Sequence, residues 1–320
     1  RWNLPIPPGR ITGDIITGTE NIASDAEKSG GMKRISVRGV LDENKVLMHA
    51  TPMYKKTLEE AATSDAELKA WLYGDWEIVA GGMFNDVWDA FTHFIEPFEI
   101  PKSWRIDRSF DWGSSHPFSV GWWAQSDGSD VVLPDGGVRS TVRGDLFRIH
   151  EWYGWSGKPN VGLKMLNMDI ARGIIERELA WDIHDRVKPG PADTSIFTVE
   201  NGTTYAEDMA KDVRVHGRLM KGPRWTRADK RANSRKLGWE MMRKMFRDAI
   251  GEEGLPRERP GLFIFNVCDQ FRRTVPVLPR DEIKMDDVDT HAEDHIGDEV
   301  RYRIRAIGSS VGQGKHIGMY

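Results

Sequence analysis

The chain has 320 residues, of which 39% are hydrophobic and 29% are charged, with a formal net charge of -4. This composition is ordinary for a globular protein, the length allows more than one domain, and the global charge does not indicate a nucleic-acid partner. No stretch approaches the roughly 20 apolar residues of a membrane helix, and the one cysteine, Cys268, excludes an internal disulfide and fits a reducing compartment. The chain begins without Met or a signal-peptide pattern, so we expect it to be part of a longer protein.

The first hundred residues show mixed local patterns. Residues 11–17 and 35–40 are two short runs that predict strands. Residues 57–71 predict one or two short helices, with Ser64 as an N-cap and Glu67 at the capping-box spacing. Proline-flanked connections at 97–101 place an expected domain boundary near residue 100.

From residue 104 onward the pattern predicts strands followed by helices. Residues 104–110 predict a strand with Ile106 and Phe110 on one side and Asp111 on the other, and residues 118–124 predict its hairpin partner. Residues 146–152 predict a third strand. Residues 160–185 have a helical period whose stripe begins at Leu163 and Leu166. Asp193 is expected at the end of a later strand, before a short helix at 203–210 and a strand at 213–215.

A basic stretch occupies residues 221–247, where ten Lys and Arg face two acids. Its second half predicts an amphipathic helix with a stripe of Leu237, Met241, Met245 and Ala249. Such an excess of cations in an acidic chain favours contact with phosphates. A solvated surface helix is the alternative interpretation.

After a buried-type strand at 261–267, residues 289–302 carry the densest group of acids. Asp294 and Asp298 are four residues apart, so a helix would project both carboxylates from one face. Two such carboxylates repel each other unless a cation lies between them. A solvated acidic helix start is the alternative.

Asp111, Asp193 and Asp294 therefore lie at three separate structural points. Mg²⁺ prefers a few carboxylates and waters, and two such ions can bind a phosphodiester. A zinc-hydrolase interpretation of His291 and His295 fails, because Ala292 and Asp294 stand where the two zinc-protease patterns need Glu. Residues 311–316 lack the spacing of a P-loop, so no ATP site is expected.

Four segments carry a resemblance to a known family: 110–113 (FDWG), 192–193 (AD), 260–265 (PGLFIF) and 289–302. With 74–76 (GDW), 225–230 (WTRADK), 238–239 (GW) and 272–276 (RRTVP), they resemble the large terminase subunits of tailed bacteriophages, which are DNA-packaging motor proteins. The resemblance covers residues 70–305.

The resemblance implies an α/β fold with an RNase H-like mixed sheet flanked by helices, preceded by a partial ATPase-region or linker segment. The implied domains are residues 1–100 (end of the ATPase region and linker), 101–308 (nuclease) and 309–320 (flexible tail). The family's metal acids fall on Asp111, Asp193 and Asp294, with Asp298 as a fourth candidate. The expected ions are Mg²⁺ or Mn²⁺, two in number.

The expected activity is endonucleolytic cleavage of concatemeric double-stranded viral DNA in the host cytoplasm, without ATPase activity or membrane attachment. Portal protein and small terminase subunit are the implied partners. The basic stretch is expected to bind the DNA through Lys221, Arg224, Arg227, Lys230, Arg231, Arg235, Lys236 and Arg243. The alternatives are another RNase H-like nuclease, of resolvase or transposase type, and a non-catalytic module that docks on the portal or small subunit.

Overall fold

The computed structural model describes residues 41, 44–61, 72, 81–200, 202–252 and 254–310. The chain divides into two compact units, residues 1–80 and 81–320. In the first unit, α1 (Lys45–Ala50) is capped by the Asn44 side chain, which accepts the Leu47 N–H at 3.1 Å, and α2 (Tyr54–Ala61) follows. The strands predicted at 11–17 and 35–40 lie outside the described residues, as do residues 62–71 of the helices predicted at 57–71, with the expected capping box of Ser64 and Glu67.

The second unit holds the described strands and the remaining helices. Its strands are β1 (Phe94–Ile95), β2 (Arg105–Asp111), β3 (Ser119–Gln125), β4 (Val131–Val132), β5 (Val138–Arg139), β6 (Leu146–Tyr153), β7 (Val187–Lys188), β8 (Gly190–Ala192), β9 (Val199–Glu200), β10 (Thr203–Thr204), β11 (Asp212–Val215), β12 (Arg218–Lys221), β13 (Trp225–Arg227) and β14 (Leu262–Phe265). Its helices are α3 (Ala90–His93), α4 (Asn167–Ala180), α5 (Tyr205–Met209), α6 (Ser234–Ile250), α7 (Asp269–Thr274) and α8 (His295–Ser310), with 3-10 turns at His184–Arg186 and Thr194–Phe197.

Among the described strands, eight form one mixed sheet in the order β1-β14-β6-β3-β2-β8-β13, with β7 beside β2. β2, β3 and β6 are antiparallel neighbours, whereas β8 runs parallel to β2 and β13 parallel to β8. The crossover from β6 to β8 passes through α4, as a return to a parallel position requires. The five strands β6-β3-β2-β8-β13 thus follow the RNase H-like order, with only the second strand along the chain reversed. The predicted fold class is confirmed.

Helices cover both faces of this sheet, which is why its central strands are buried almost throughout. One apolar core includes Phe110, Trp122 and Ile174, between the sheet and α4. The other includes Trp123 and Trp239, between the sheet and the helices α6, α7 and α8. The hairpin of β2 and β3 and the third strand β6 lie where the sequence predicts them.

Successive side chains of β2 point to opposite faces of the sheet, so one face of the strand is apolar and the other is polar. Ile106 and Phe110 enter the α4 core. The opposite face is polar: Asp107 accepts a hydrogen bond from Arg303 Nε at 2.5 Å, and Ser109 donates to Glu299. Both partners belong to α8, so the polar face of β2 holds this helix in place.

Two helix predictions need correction. The helix expected at 160–185 begins only at Asn167, and Leu163 and Leu166 precede it with exposed fractions of 46% and 72%. In the stripe predicted for α6, Met245 and Ala249 are buried as expected, but Leu237 is 51% exposed. Trp239, Met242 and Phe246 extend the buried face on the other side, because the large aromatic side chains bury more apolar area than Leu237 can.

The second unit begins at Gly81. Residues 94–95 belong to it because β1 pairs in parallel with β14. The assignment of 1–100, 101–308 and 309–320 to ATPase region, nuclease and tail stays a prediction. α8 continues to Ser310, and residues 311–320 lie outside the described part of the chain. Within the described residues, no helix combines the length and apolar character needed to cross a bilayer.

Candidate metal centre

Asp111 is the last residue of β2 and lies on its polar face, only 6% exposed. The hairpin register pairs it with Ser119 of β3. Two residues later, Gly113 has room for no side chain, because a Cβ there would lie 2.6 Å from the carbonyl oxygen of His116. The tight turn therefore ends the strand immediately after the carboxylate.

Asp193 follows β8, the parallel neighbour of β2. Its N–H donates to the carbonyl of Phe110 at 2.9 Å, so the chain passes directly beside the end of β2. Gly190 permits this approach, since a Cβ there would collide with the carbonyl oxygen of Arg108. Asp193 Oδ1 accepts the Ser195 N–H at 2.7 Å, which leaves Oδ2 turned toward other partners.

Tyr302 of α8 connects these two acids. Its hydroxyl lies 3.3 Å from Asp111 Oδ1 and 3.1 Å from Asp193 Oδ2. The structure thus brings Asp111 and Asp193 together, although they are far apart in the sequence. Asp298 lies one helical turn before Tyr302, on the same face of α8.

Asp294 immediately precedes α8, and its carbonyl accepts the N–H of Asp298 at 2.8 Å. Both carboxylates contact Arg235, the second residue of α6: Nη2 donates to Asp294 Oδ2 at 2.9 Å, and Nη1 lies 3.3 Å from Asp298 Oδ2. Asp298 also pairs with Arg301 at 3.0 Å. Asp294 therefore lies just before the helix rather than within it as predicted, and one guanidinium contacts both carboxylates.

The electrostatics link the acids into one cluster. Burial raises the pKa of Asp111 to about 7, and the charges of Asp298 and Asp193 add to this effect, while His295 opposes it. Burial also raises the pKa of Asp294, again with a contribution from Asp298. Burial of Asp193 tends to raise its pKa, but two other contacts outweigh this effect. The ammonium of Lys230 lies 2.7 Å from Oδ2, and together with the hydrogen bonds from Ser195 it holds the pKa of Asp193 below the usual value.

Several residues of this centre had no role assigned from the sequence. His295 Nδ1 lies 3.5 Å from Asp111 Oδ2, and the ring of His116 lies 5.6 Å from that of His295. Burial alone would lower the pKa of His295, but Asp111 raises it. Tyr302 could have been found from its spacing, four residues after Asp298. His291 is exposed and precedes the helix, so it does not share a helix face with His295 as the zinc interpretation would require.

The donor chemistry fits a hard divalent cation, because carboxylate oxygens are the preferred ligands of Mg²⁺ and Mn²⁺. Burial is the main cause of the raised pKa of Asp111, and the smaller contribution from the charges of Asp298 and Asp193 is of the kind that a bound cation relieves. No group of three or more His, Cys, Asp or Glu in the described residues has the spacing to hold a metal ion. Two basic side chains, Arg235 and Lys230, contact the carboxylates instead.

The basic stretch is less uniform than its sequence indicates. Within the described residues, six of its eight predicted DNA-binding side chains pair with carboxylates: Lys221 with Asp212, Lys230 with Asp193, Arg231 with Asp229, Arg235 with Asp287, Asp294 and Asp298, Lys236 with Asp286, and Arg243 with Asp86. Arg224 and Arg227 are exposed, and Arg227 lies over the ring of Phe197. A surface pocket of about 320 Å³ is lined by Arg227, Lys230, Arg231 and Tyr302, among others.

Fold and site together define an RNase H-like α/β domain with an acidic cluster at the ends of two neighbouring parallel strands. Among solved structures, the chain is similar to the large terminase from a thermophilic bacteriophage, at 15% identity and a TM-score of 0.47, over 82% of this chain and 52% of that one. It is also similar to the P22 large terminase nuclease domain, at 16% identity and a TM-score of 0.44, over 71% of this chain and 93% of that one. The predicted resemblance to large terminases is confirmed as a structural similarity of this degree.

The chain spans about half the length of the thermophilic-phage terminase that it matches, 52% of it. No protein-family model matches the sequence, and no curated protein matches it significantly.

Proposed function

We propose that this chain is a Mg²⁺- or Mn²⁺-dependent endodeoxyribonuclease, the nuclease part of a large terminase that cuts concatemeric double-stranded viral DNA during packaging. One observation carries the proposal. The Tyr302 hydroxyl contacts both Asp111 and Asp193, and Asp298 lies one turn earlier on the same helix. Two carboxylates from neighbouring strand ends thus contact the helix that carries Asp298, which supports the proposal.

Asp111, Asp193, Asp294 and Asp298 would hold the ions. Divalent ions at such a site supply Lewis-acid stabilisation of a phosphodiester and activation of water. The protein contributes the rest: the Tyr302 hydroxyl lies between Asp111 and Asp193 and can donate to either carboxylate, and the burial of Asp111 limits the access of bulk water. The basic pocket beside Tyr302, with Arg227 and Lys230, would bind backbone phosphates, which positions a duplex without reading its sequence. Portal protein and small terminase subunit are the proposed protein partners.

The test is nicking of supercoiled plasmid in Mn²⁺, in Mg²⁺ and in EDTA. We expect cleavage with either metal, none in EDTA, and none by Asp111→Asn, which keeps the shape of the side chain but loses its charge. Asp169→Asn is the matched control, because Asp169 is a half-exposed residue of α4 paired with Arg172. Cleavage by Asp111→Asn at the wild-type rate would refute the assignment.

The choice of DNA substrate distinguishes the proposed terminase nuclease from other RNase H-like nucleases. A terminase nuclease should cut linear and circular duplexes, whereas a resolvase would prefer a four-way junction. A protein that is inactive on every substrate with both metals, yet binds portal or small subunit, would instead be a docking module.

A further inference from the structure

Arg235 lies between a loop and the start of α8, surrounded by three acids. The terminal nitrogens of its guanidinium contact Asp294 at 2.9 Å and Asp298 at 3.3 Å. Its Nε donates to Asp287 Oδ1 at 2.7 Å. One side chain therefore contacts both the carboxylate just before α8 and the carboxylate in its first turn.

A cation at this point has a clear physical role. Asp294 is only 9% exposed, and neighbouring carboxylates on one helix face repel each other unless a positive charge lies between them. Arg235 supplies that charge. Because a guanidinium is not deprotonated in proteins, it can be removed from the acids only by moving away.

Asp287 gives Arg235 a partner outside the helix pair. This carboxylate is itself fixed, since its Oδ1 accepts from Trp239 Nε1 at 2.9 Å and from the Val288 N–H at 2.8 Å. Asp298 also pairs with Arg301 at 3.0 Å, so it keeps a cation when Arg235 leaves. After displacement, Arg235 would still pair with Asp287, and Asp298 would still pair with Arg301.

We propose that Arg235 is a positioning residue that occupies the cation position on Asp294 and Asp298, and that divalent metal must displace it toward Asp287 in order to bind. This inference rests on the proposed function, because it concerns the same acidic site. It also assigns Arg235 a role different from the DNA contact predicted from the sequence. A guanidinium and a metal ion compete for the same oxygens, so removing the guanidinium should strengthen metal binding.

The experiment is calorimetric titration of the full chain with Mn²⁺. We expect Arg235→Gln to lower the Mn²⁺ Kd by about tenfold or more, which corresponds to about 1.4 kcal/mol. Arg172→Gln is the matched control: it removes the same charge from an exposed pair on α4 and should leave the Kd unchanged. Equal or weaker Mn²⁺ binding by Arg235→Gln would overturn the inference.

Thermal unfolding gives a second readout that needs no activity. In EDTA, Arg235→Gln should unfold at a lower temperature than wild type, because the acids lose their counter-cation. Added Mn²⁺ should then raise its Tm by more than it raises that of wild type, since tighter binding stabilises the folded state more. If Arg235→Gln does not fold, Arg235→Lys replaces it. Its Mn²⁺ Kd should be below that of wild type, because the compact ammonium lacks the planar array of donors with which the guanidinium contacts both acids.

The outcomes separate this inference from the proposed function. If wild type binds Mn²⁺, Asp111→Asn does not, and Arg235→Gln binds as wild type does, then Arg235 is not a competitor but the metal site stands. If neither wild type nor any variant binds Mn²⁺, the metal site itself is wrong, and this inference fails with it.

Discussion

Arg303 and Asp107 form a buried ion pair, with Nε and Oδ1 2.5 Å apart and both side chains 3% exposed. They are 196 residues apart in the chain, and the pair joins α8 to the polar face of β2. Glu299, one turn earlier, accepts from Ser109 of β2, Trp123 of β3 and Arg148 of β6. These contacts set the position of α8, and hence the positions of Asp298 and Tyr302 relative to Asp111.

Replacing Arg303 by Met should destabilise the protein by about 3–5 kcal/mol, because it leaves the Asp107 charge buried without its main partner. Urea unfolding monitored by circular dichroism would measure this. Arg105→Met is the control, since Arg105 also contacts Asp107, at 2.8 Å, but is 54% exposed. Its cost should stay below about 1 kcal/mol, and equal costs for both variants would contradict the buried-pair account.

Gly121 of β3 lies against the buried pair of Arg148 and Glu299, and a Cβ there would collide with both side chains. Gly121→Ala should therefore cost about 1–3 kcal/mol through overpacking, more than strand propensity alone would explain. The free energy of unfolding in urea is again the measurement. An Ala variant as stable as wild type would show that the pair can shift without loss.

The different burial of Trp239 and Leu237 on α6 predicts different costs for replacing them. Trp239 is 1% exposed and Leu237 is 51% exposed. Trp239→Ala should cost about 3–5 kcal/mol by leaving a cavity in the core, whereas Leu237→Ala should cost about 0.5 kcal/mol or less. Chemical denaturation of the two variants, measured side by side, tests this. The reverse order would restore the helix face predicted from the sequence.

His150 of β6 stacks on Trp181 with ring centroids 3.8 Å apart, and burial lowers its pKa to about 4. The folded state thus favours the neutral imidazole. The stability from this preference is fully present above about pH 6.5 and is lost as the pH falls through about 4, by up to about 3 kcal/mol. His150→Phe should keep the stack and flatten this part of the stability profile, measured by urea unfolding between about pH 4 and pH 7. An unchanged slope would mean that other groups cause the acid sensitivity.

The exposed side chains of Arg224 and Arg227 should carry phosphate contacts under the proposed function. Replacing either with Gln should reduce the slope of log Kobs against log salt by about 1, nearly independently of DNA sequence. Fluorescence anisotropy with a labelled duplex at several salt concentrations measures the slope. Arg172→Gln, on α4, serves as the control. Unchanged slopes for both variants would exclude this surface from DNA binding.

Local pattern was sufficient for much of the fold. The hairpin of β2 and β3, the third strand β6 and the acid after β8 all follow from strand alternation and turn residues. The start of α4 and the exposure of Leu237 on α6 did not follow, because apolar spacing allows several helix faces and tertiary packing selects the one with the largest side chains. The same limit applies to the basic stretch, since its pairing with distant acids depends on contacts that sequence spacing does not contain.

The sequence by itself determined the mixed α/β character, the acids at strand ends and the four-residue spacing of Asp294 and Asp298, because each depends on a short-range period. Only the tertiary structure decided that the Tyr302 hydroxyl contacts both Asp111 and Asp193, and that Arg235 contacts both Asp294 and Asp298. The physical reason is that these contacts depend on how α8 and α6 pack on the sheet. That packing is set by buried ion pairs between residues more than a hundred positions apart.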